Sequence, residues 1–137
     1  MKTGSFSLRT QQHMELVDIT PQIENFLSES NAQDGFCFIY VPHTTAAVTI
    51  NEGADPAVAR DIIYGLKRIV PEDGHHHLEG NSPSHIMASL LGTSQTVAVV
   101  QGRIVLGTWQ RIFFCEFDGP RTRTVQCSFS KTLEQKR

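Results

Sequence analysis

Residues 96–130 read TVAVVQGRIVLGTWQRIFFCEFDGPRTRTVQCSFS, and this stretch decides the fold. Its β-branched and aromatic runs predict four strands, at residues 96–100, 103–106, 108–117 and 122–130. Gln101-Gly102, between the first two of these strands, predicts a tight hairpin turn. Because such turns join antiparallel strands, this part of the chain predicts antiparallel sheet.

The chain before residue 96 predicts further strands and three short helices. Apolar–polar alternation or dense β-branched runs predict strands at residues 4–10, 14–19, 36–41 and 44–50. Helices are predicted to begin at Thr20-Pro21, Asp55-Pro56 and Ser82-Pro83, with Asp55 and Ser82 as N-caps. Strands at both ends with helices between them predict an α+β fold. We expect one compact domain over residues 1–137, with mainly antiparallel sheet of sandwich or barrel type.

The composition argues against nucleic acid or a membrane as partner. Of the 137 residues, 39% are apolar and 19% are charged, and the formal net charge is −2. A weakly acidic chain has no general positive field that would attract nucleic acid or anionic lipid. The sequence has no apolar run of ~18 residues, and its first residues lack the apolar core of a signal peptide. We therefore expect a cytoplasmic protein.

The three cysteines predict no special chemistry. Cys37, Cys115 and Cys127 lie in strand-like runs close to phenylalanines, and no CxxC spacing occurs. An odd number of cysteines in such runs is typical of buried apolar residues in a reducing compartment. We expect them to be free thiols rather than nucleophiles.

The most polar part of the sequence is HHHLEGNSPSHIMASLL, residues 75–91, which holds four of the six histidines. His85 falls in the first turn of the third predicted helix, where the helix dipole disfavours a protonated imidazole. A neutral histidine is suited to bind a metal. Together His43, His76 and His85 could hold a divalent cation, with Glu79, Glu52 or water completing the shell. The alternative is a run of surface histidines with no function.

Other polar residues follow predicted strands or flank turns. Thr44 and Thr45 come directly after Pro42, and Asn51-Glu52 ends another strand. Arg121 and Arg123 could clamp a phosphate by charge-assisted hydrogen bonds, or could be solvated charges on a strand. Trp109 is expected to belong to the core rather than to form a stacking surface.

Three segments in this order resemble the YjbQ family, whose members are named secondary thiamine-phosphate synthases. They are HTTAAVTINEGADPAVARD at 43–61, HHLEGNSPSHIMASLLGTS at 76–94 and GRIVLGTWQRIFFCEFDGPRTRTV at 102–125. The resemblance runs from about residue 36 to the end of the chain. One departure is His77, where relatives often carry Asn or Asp.

The resemblance implies a compact α+β fold assembled as a homotrimer. It also implies that a hydroxymethylpyrimidine diphosphate is joined to a thiazole phosphate, which gives thiamine phosphate and releases pyrophosphate. The ligand would then be a phosphorylated small molecule, and the activity is regarded in the family as secondary.

This chemistry assigns roles to the polar residues. The candidates for acid–base catalysis are Glu79, His76 and Glu52. The candidates for substrate binding are Thr44, Asn51, Asn81, Gln110 and Arg121. The candidate metal ligands are His43, His76 and His85, for zinc, manganese or magnesium. Three histidines suit a transition metal better than they suit magnesium. A metal-dependent hydrolase with Glu79 as base, and a non-catalytic trimer that binds a metal or a small ligand, therefore remain as alternatives.

Overall fold

The computed structural model describes residues 1–76 and 80–132 and shows the α+β fold expected from the sequence. Within these residues eight strands and three helices follow one another. They are β1 (Lys2–Arg9), β2 (Glu15–Asp18), α1 (Thr20–Glu29), β3 (Gly35–Tyr40), β4 (Ala46–Glu52), α2 (Pro56–Ile69), α3 (Ser82–Leu91), β5 (Ser94–Val100), β6 (Arg103–Ile104), β7 (Gln110–Glu116) and β8 (Thr122–Lys131).

The described strands form two antiparallel sheets. One sheet has the order β1-β8-β3-β5-β6, and the other has the order β2-β7-β4. Alternation along β3 turns Cys37 and Ile39 inward, where both are fully buried. They share one apolar cluster with Val48 of β4 and Phe114 of β7. This cluster joins the two sheets, and burial of apolar side chains is the main force that holds them together.

The turn at Gln101-Gly102 confirms the predicted hairpin. Both residues have positive φ, 52° and 79°, as the tight turn that matches strand twist requires. The turn is held from the side by Asp34, whose Oδ1 accepts a hydrogen bond from the Gln101 N–H at 2.8 Å. The hairpin joins β5 to β6, in which Val100 pairs with Arg103.

The chain crosses from one sheet to the other between β7 and β8. Although these strands are consecutive, β7 pairs with β2 and β4, whereas β8 pairs with β1 and β3. Gly119 lies in the crossing so close to other backbone that an added Cβ would be 2.4 Å from the Gln12 carbonyl oxygen. The crossing therefore places Arg121 and Arg123 where the ends of the two sheets meet.

The helices follow the predicted starts with one difference. Asp55 caps α2 as expected, with its Oδ1 accepting from the Ala57 N–H at 2.9 Å. The prediction that Ser82 is the N-cap of α3 was wrong, because Asn81 holds that position and its carbonyl oxygen accepts the Ser84 N–H. A proline one position further on is equally tolerated, since the first N–H groups of a helix have no intrahelical partner. None of the helices in the described ranges is long and apolar enough to cross a membrane.

The expectation that Trp109 belongs to the core was also wrong, because its side chain is 63% exposed. Trp109 lies in a turn in which the Gly107 N–H donates to Gln110 Oε1 at 2.8 Å. The Trp109 carbonyl oxygen accepts a hydrogen bond from the Gly53 N–H at 2.9 Å. The Trp109 backbone is therefore fixed, while its ring points away from the protein.

Candidate functional site

A cavity of about 760 Å³ opens where the end of β3, the start of β8 and the helix α3 meet. We call it the basic pocket. Its polar lining, as far as the structure describes it, consists of histidine, arginine and hydroxyl side chains. The side chains that matter below are those of Tyr40, His43, Thr44, His85, Arg121 and Arg123. The structure thus brings together six of the residues singled out from the sequence: His43, Thr44, Thr45, His85, Arg121 and Arg123.

His43 is fixed to the sheet by its ring. After Tyr40 the chain leaves the ladder, and the His43 Nε2 atom accepts a hydrogen bond from the backbone N–H of Thr124 at 2.9 Å. Burial lowers the pKa of His43, and the positive charge of Arg123 lowers it further. His43 is therefore neutral at neutral pH.

The floor of the pocket is a buried ion pair between Arg123 and Glu116, whose side chains are 2% and 0% exposed. Arg123 Nε donates to Glu116 Oε1 at 2.9 Å, and Arg123 Nη2 donates to Glu116 Oε2 and to Thr45 Oγ1. Thr10 Oγ1 donates a further hydrogen bond to Glu116 Oε1 at 2.7 Å. Burial alone would raise the pKa of Glu116, but the hydrogen bonds from Arg123 and Thr10 outweigh it and lower the pKa. Glu116 is therefore an ionised carboxylate that fixes Arg123 in place.

Arg121 lies at the mouth of the pocket, and its side chain is about half exposed. Asp118 holds it through two hydrogen bonds, from Arg121 Nε to the Asp118 carbonyl oxygen at 2.8 Å and from Nη2 to Oδ2 at 3.1 Å. Because one face of the guanidinium group is tied back and the rest reaches solvent, Arg121 is a preorganised donor for an anion.

Asn81 does not line the basic pocket and is connected to it through Asp118. Its Nδ2 donates to Asp118 Oδ2 at 3.1 Å, the same oxygen that binds Arg121. Asn81 lines a separate cavity of about 310 Å³ rather than the basic pocket. In this structure it supports the carboxylate that orients Arg121.

His85 enters the pocket from the first turn of α3, as the sequence predicted. The start of this helix is attached to the end of β7, because the buried Ser84 Oγ donates to the Phe117 carbonyl oxygen at 2.6 Å. This hydrogen bond fixes the direction from which His85 faces the pocket.

The predicted three-histidine metal site is not assembled in the described part of the chain. His76 is exposed in the segment between α2 and α3 and does not line the basic pocket. Glu79, the predicted base, lies outside the described residues, as does His77. Within residues 1–76 and 80–132, no group of three His, Cys, Asp or Glu side chains could hold a metal ion. Metal binding stays a prediction.

Three other candidates lie together, but at the opposite end of the second sheet. Glu52 pairs with Gln110 across β4 and β7, and Asn51 is the residue before it. Gln110 Oε1 is occupied by the Gly107 N–H, and Asn51 Oδ1 by the Glu52 N–H at 2.8 Å. The seven residues from Ala46 to Glu52 span ~20 Å of strand. Within one chain, these residues are therefore not part of the basic pocket.

Three polar residues of the pocket were not predicted from the sequence: Tyr40, Ser89 and Thr93. Tyr40 could have been found from strand alternation, since Cys37 and Ile39 point inward and Tyr40 must then point outward at the strand end. Ser89 is four residues after His85 and so lies on the same face of α3. The prediction that the three cysteines are buried is confirmed. Each is a buried free thiol, and burial raises the pKa of Cys115 to about 12.

The fold and the pocket together define a class of protein: a small α+β protein with two antiparallel sheets and a pocket lined by arginine, histidine and hydroxyl side chains. The family model described as UPF0047 protein YjbQ-like matches residues 4–132. The chain belongs to this family, as the sequence resemblance indicated.

Individual relatives and solved structures agree with this assignment. A UPF0047 protein of Methanocaldococcus jannaschii is 55% identical over 119 residues, which cover 86% of each chain. The UPF0047 protein YugU of Bacillus subtilis is 47% identical, over 88% of this chain and 92% of its own. The crystal structure of a YjbQ/UPF0047 family protein from Clostridium acetobutylicum has a TM-score of 0.89 and 46% identity. It covers 92% of this chain and 98% of its own. A hypothetical protein from Aeropyrum pernix has a TM-score of 0.90 at 38% identity, with 96% and 100% coverage.

Proposed function

We propose that the protein binds a phosphorylated small molecule in the basic pocket and catalyses displacement of its pyrophosphate. The reaction is that of a weak thiamine-phosphate synthase. The observation that carries the proposal is the set of hydrogen-bond donors that line the pocket. Arg121, Arg123, His43 and His85 line it, and no carboxylate is found among the described lining residues. Such a lining favours an anion over a bare cation.

The chemistry of this reaction needs what the pocket offers. The thiazole nitrogen attacks the pyrimidinylmethyl carbon, the new N–C bond forms, and the C–O bond to the diphosphate breaks. Pyrophosphate leaves with the electron pair, so negative charge grows on the oxygen that was bonded to the pyrimidinylmethyl carbon. Fixed donors directed at that charge lower the barrier because they need no reorganisation during the step. Arg121, held by Asp118, is the foremost of these donors.

The described lining does not fit a resident metal ion. It offers no carboxylate, and the Nε2 atom of His43 already accepts the Thr124 N–H. In this proposal a divalent cation, if the reaction uses one, belongs to the diphosphate substrate, because phosphate oxygens are the ligands that magnesium prefers. No step of the mechanism depends on it.

The proposal is tested by incubating the purified, untagged protein with hydroxymethylpyrimidine diphosphate and thiazole phosphate. We expect thiamine phosphate and pyrophosphate to form in equal amounts, and only when both substrates are present. Pyrophosphate or phosphate release without thiazole phosphate would indicate a hydrolase instead. Stoichiometric zinc or manganese in the purified protein would favour the metal-dependent alternative. Tight binding of the diphosphate without turnover would indicate a binding protein.

Tyr40 is expected to hold the aromatic ring of the substrate at the mouth of the pocket. Tyr40→Leu should raise the KM for the pyrimidine substrate roughly tenfold, since stacking of a base on an aromatic side chain contributes about 1–3 kcal/mol. The matched control is Tyr64→Leu, because Tyr64 is also an exposed tyrosine but lies on α2 and does not line the basic pocket. Steady-state kinetics of both variants measure the KM for the pyrimidine substrate. Equal effects would assign Tyr40 to the sheet surface and not to the site.

The homotrimer expected from the resemblance is also part of this proposal, and the outer face of the first sheet is its candidate contact. Phe36 and Phe38 project from the middle of this face. The residues paired with them on the neighbouring strands are uncharged: Ser128, Ser130, Thr96 and Ala98. Exposed aromatic residues without charges are typical of the centre of an interface. A second copy of this chain suits such a face, because it brings no like charges into the contact.

The assembly is tested by light scattering. The wild-type protein should have the mass of a trimer at micromolar concentration. Phe38→Glu should give monomers, because it would bury a carboxylate without a partner. Tyr64→Glu on α2 is the control, since Tyr64 is also an exposed aromatic residue but lies away from the sheet face. A wild-type monomer, or a trimer that Phe38→Glu leaves intact, would contradict this assignment.

A further inference from the structure

The ring of His43 supplies the hydrogen-bond acceptor that a neighbouring strand would supply at the end of the β3–β8 ladder. The β3–β8 ladder ends with the pair Tyr40 and Gln126, and by the same register Thr124 would face Pro42. At that point the chain has left the ladder, so the Thr124 N–H has lost its strand partner. His43 Nε2 takes this place and accepts the N–H at 2.9 Å.

This hydrogen bond determines which nitrogen of His43 carries the proton. A backbone N–H can only donate, so Nε2 must be unprotonated, and in a neutral imidazole the proton is then on Nδ1. A protonated ring would place two N–H groups against each other. Burial and the positive charges of Arg123 and Arg121 favour the neutral form as well.

The remaining polar group of the ring, on a residue that lines the basic pocket, is therefore an N–H donor. Because the strand bond uses Nε2, His43 has only Nδ1–H to offer a ligand. Thr44 and Arg121 line the same pocket. An N–H cannot bind a metal ion or take up a proton without first losing its own.

We propose that His43 is a neutral hydrogen-bond donor, through Nδ1–H, to an anionic oxygen of the phosphorylated ligand. It is neither a metal ligand nor a general base. This inference rests on the proposed function for the nature of the ligand, but the proton position follows from the contact with Thr124 alone. His43 thereby couples the end of the sheet ladder to recognition of the ligand.

The proton position can be measured on the whole wild-type protein in solution. In protein labelled with ¹⁵N-histidine, long-range ¹H–¹⁵N spectra at neutral pH distinguish the two neutral forms and the cation. We expect His43 to show a protonated Nδ1 and an unprotonated Nε2. Its signals are assigned by their loss in His43→Gln, or by elimination with variants at the other five histidines. The opposite neutral form, or an imidazolium, overturns the inference.

The donor role is measured by adding inorganic pyrophosphate to the same sample. We expect the His43 Nδ1–H signal to shift while the proton stays on Nδ1, and His43→Ala to bind pyrophosphate roughly tenfold more weakly by calorimetry. Binding to the wild type without a shift at His43 overturns this inference and leaves the proposed function intact. Absence of pyrophosphate binding overturns both. Titration with one equivalent of zinc tests the claim that His43 is not a metal ligand. Coordination of zinc by His43 would overturn the inference.

Discussion

Arg123→Met is expected to lower the free energy of unfolding by about 3–5 kcal/mol, the cost of leaving a buried charge without its partner. Glu116 is fully buried and would retain only Thr10 and a backbone N–H as hydrogen-bond donors. Methionine nearly fills the volume of arginine, so the loss reports the charge rather than a cavity. Urea unfolding followed by circular dichroism measures it.

Two further variants show whether the effect comes from the buried pair. Arg111→Met breaks a different ion pair, between Arg111 and Asp18, in which both side chains are more than a third exposed. It should therefore cost under about 1 kcal/mol. The double variant Arg123→Met/Glu116→Leu removes both buried charges and should recover most of the lost stability. Equal effects of Arg123→Met and Arg111→Met would show that the buried pair has no special place in the fold.

Arg121→Gln is expected to lower kcat/KM for the diphosphate substrate by roughly 10- to 100-fold. A charge-assisted hydrogen bond contributes about 1.5–3 kcal/mol, and each 1.4 kcal/mol corresponds to about a factor of ten. Because Arg121 is half exposed, the free energy of unfolding should change by less than about 1 kcal/mol. Steady-state kinetics beside thermal melting separate the two effects.

Arg103→Gln is the matched control for Arg121. Arg103 is an exposed arginine in the hairpin of the same sheet, and it lines a different, small cavity beside Glu24. Its loss changes the net charge by the same amount without touching the basic pocket. If both variants lose the same activity, and increasing salt removes the difference from wild type, then Arg121 acts through the general field and not as a fixed donor.

The fold was largely predictable because its signals are local. Alternation in β3, the two-residue turn at Gln101-Gly102 and the proline-marked helix starts each depend on a few neighbouring residues. The exposure of Trp109 was not predictable in this way. A turn that holds its backbone and releases its ring can be seen only once Gly53 and Gln110 are in place.

The site was predictable in part, since strand pairing determines which clusters meet. His43, Thr44 and His85 lie at element ends that converge, whereas Glu52 lies at the far end of β4. Spacing along the sequence gives no information on this separation. The pair of Glu116 and Arg123 was not predicted from the sequence. A signal for it existed, because an acid within the apolar run IFFCEF is expected to be buried only with a partner.

The buried ion pair under the pocket determines which positions of this protein tolerate substitution and which do not. A substitution at Arg123 or Glu116 alone acts on folding before it acts on any ligand, so selection removes variants that leave one of the two charges unpaired, whatever the ligand is. The exposed wall of the pocket, which includes Ser89 and Thr44, is expected to tolerate substitution. These two residues line the cavity without supporting the core. A laboratory selection for new ligands should therefore accumulate substitutions along α3 and after Pro42. The floor would stay unchanged through successive rounds, and libraries confined to the wall should contain far more folded members than libraries that include the floor.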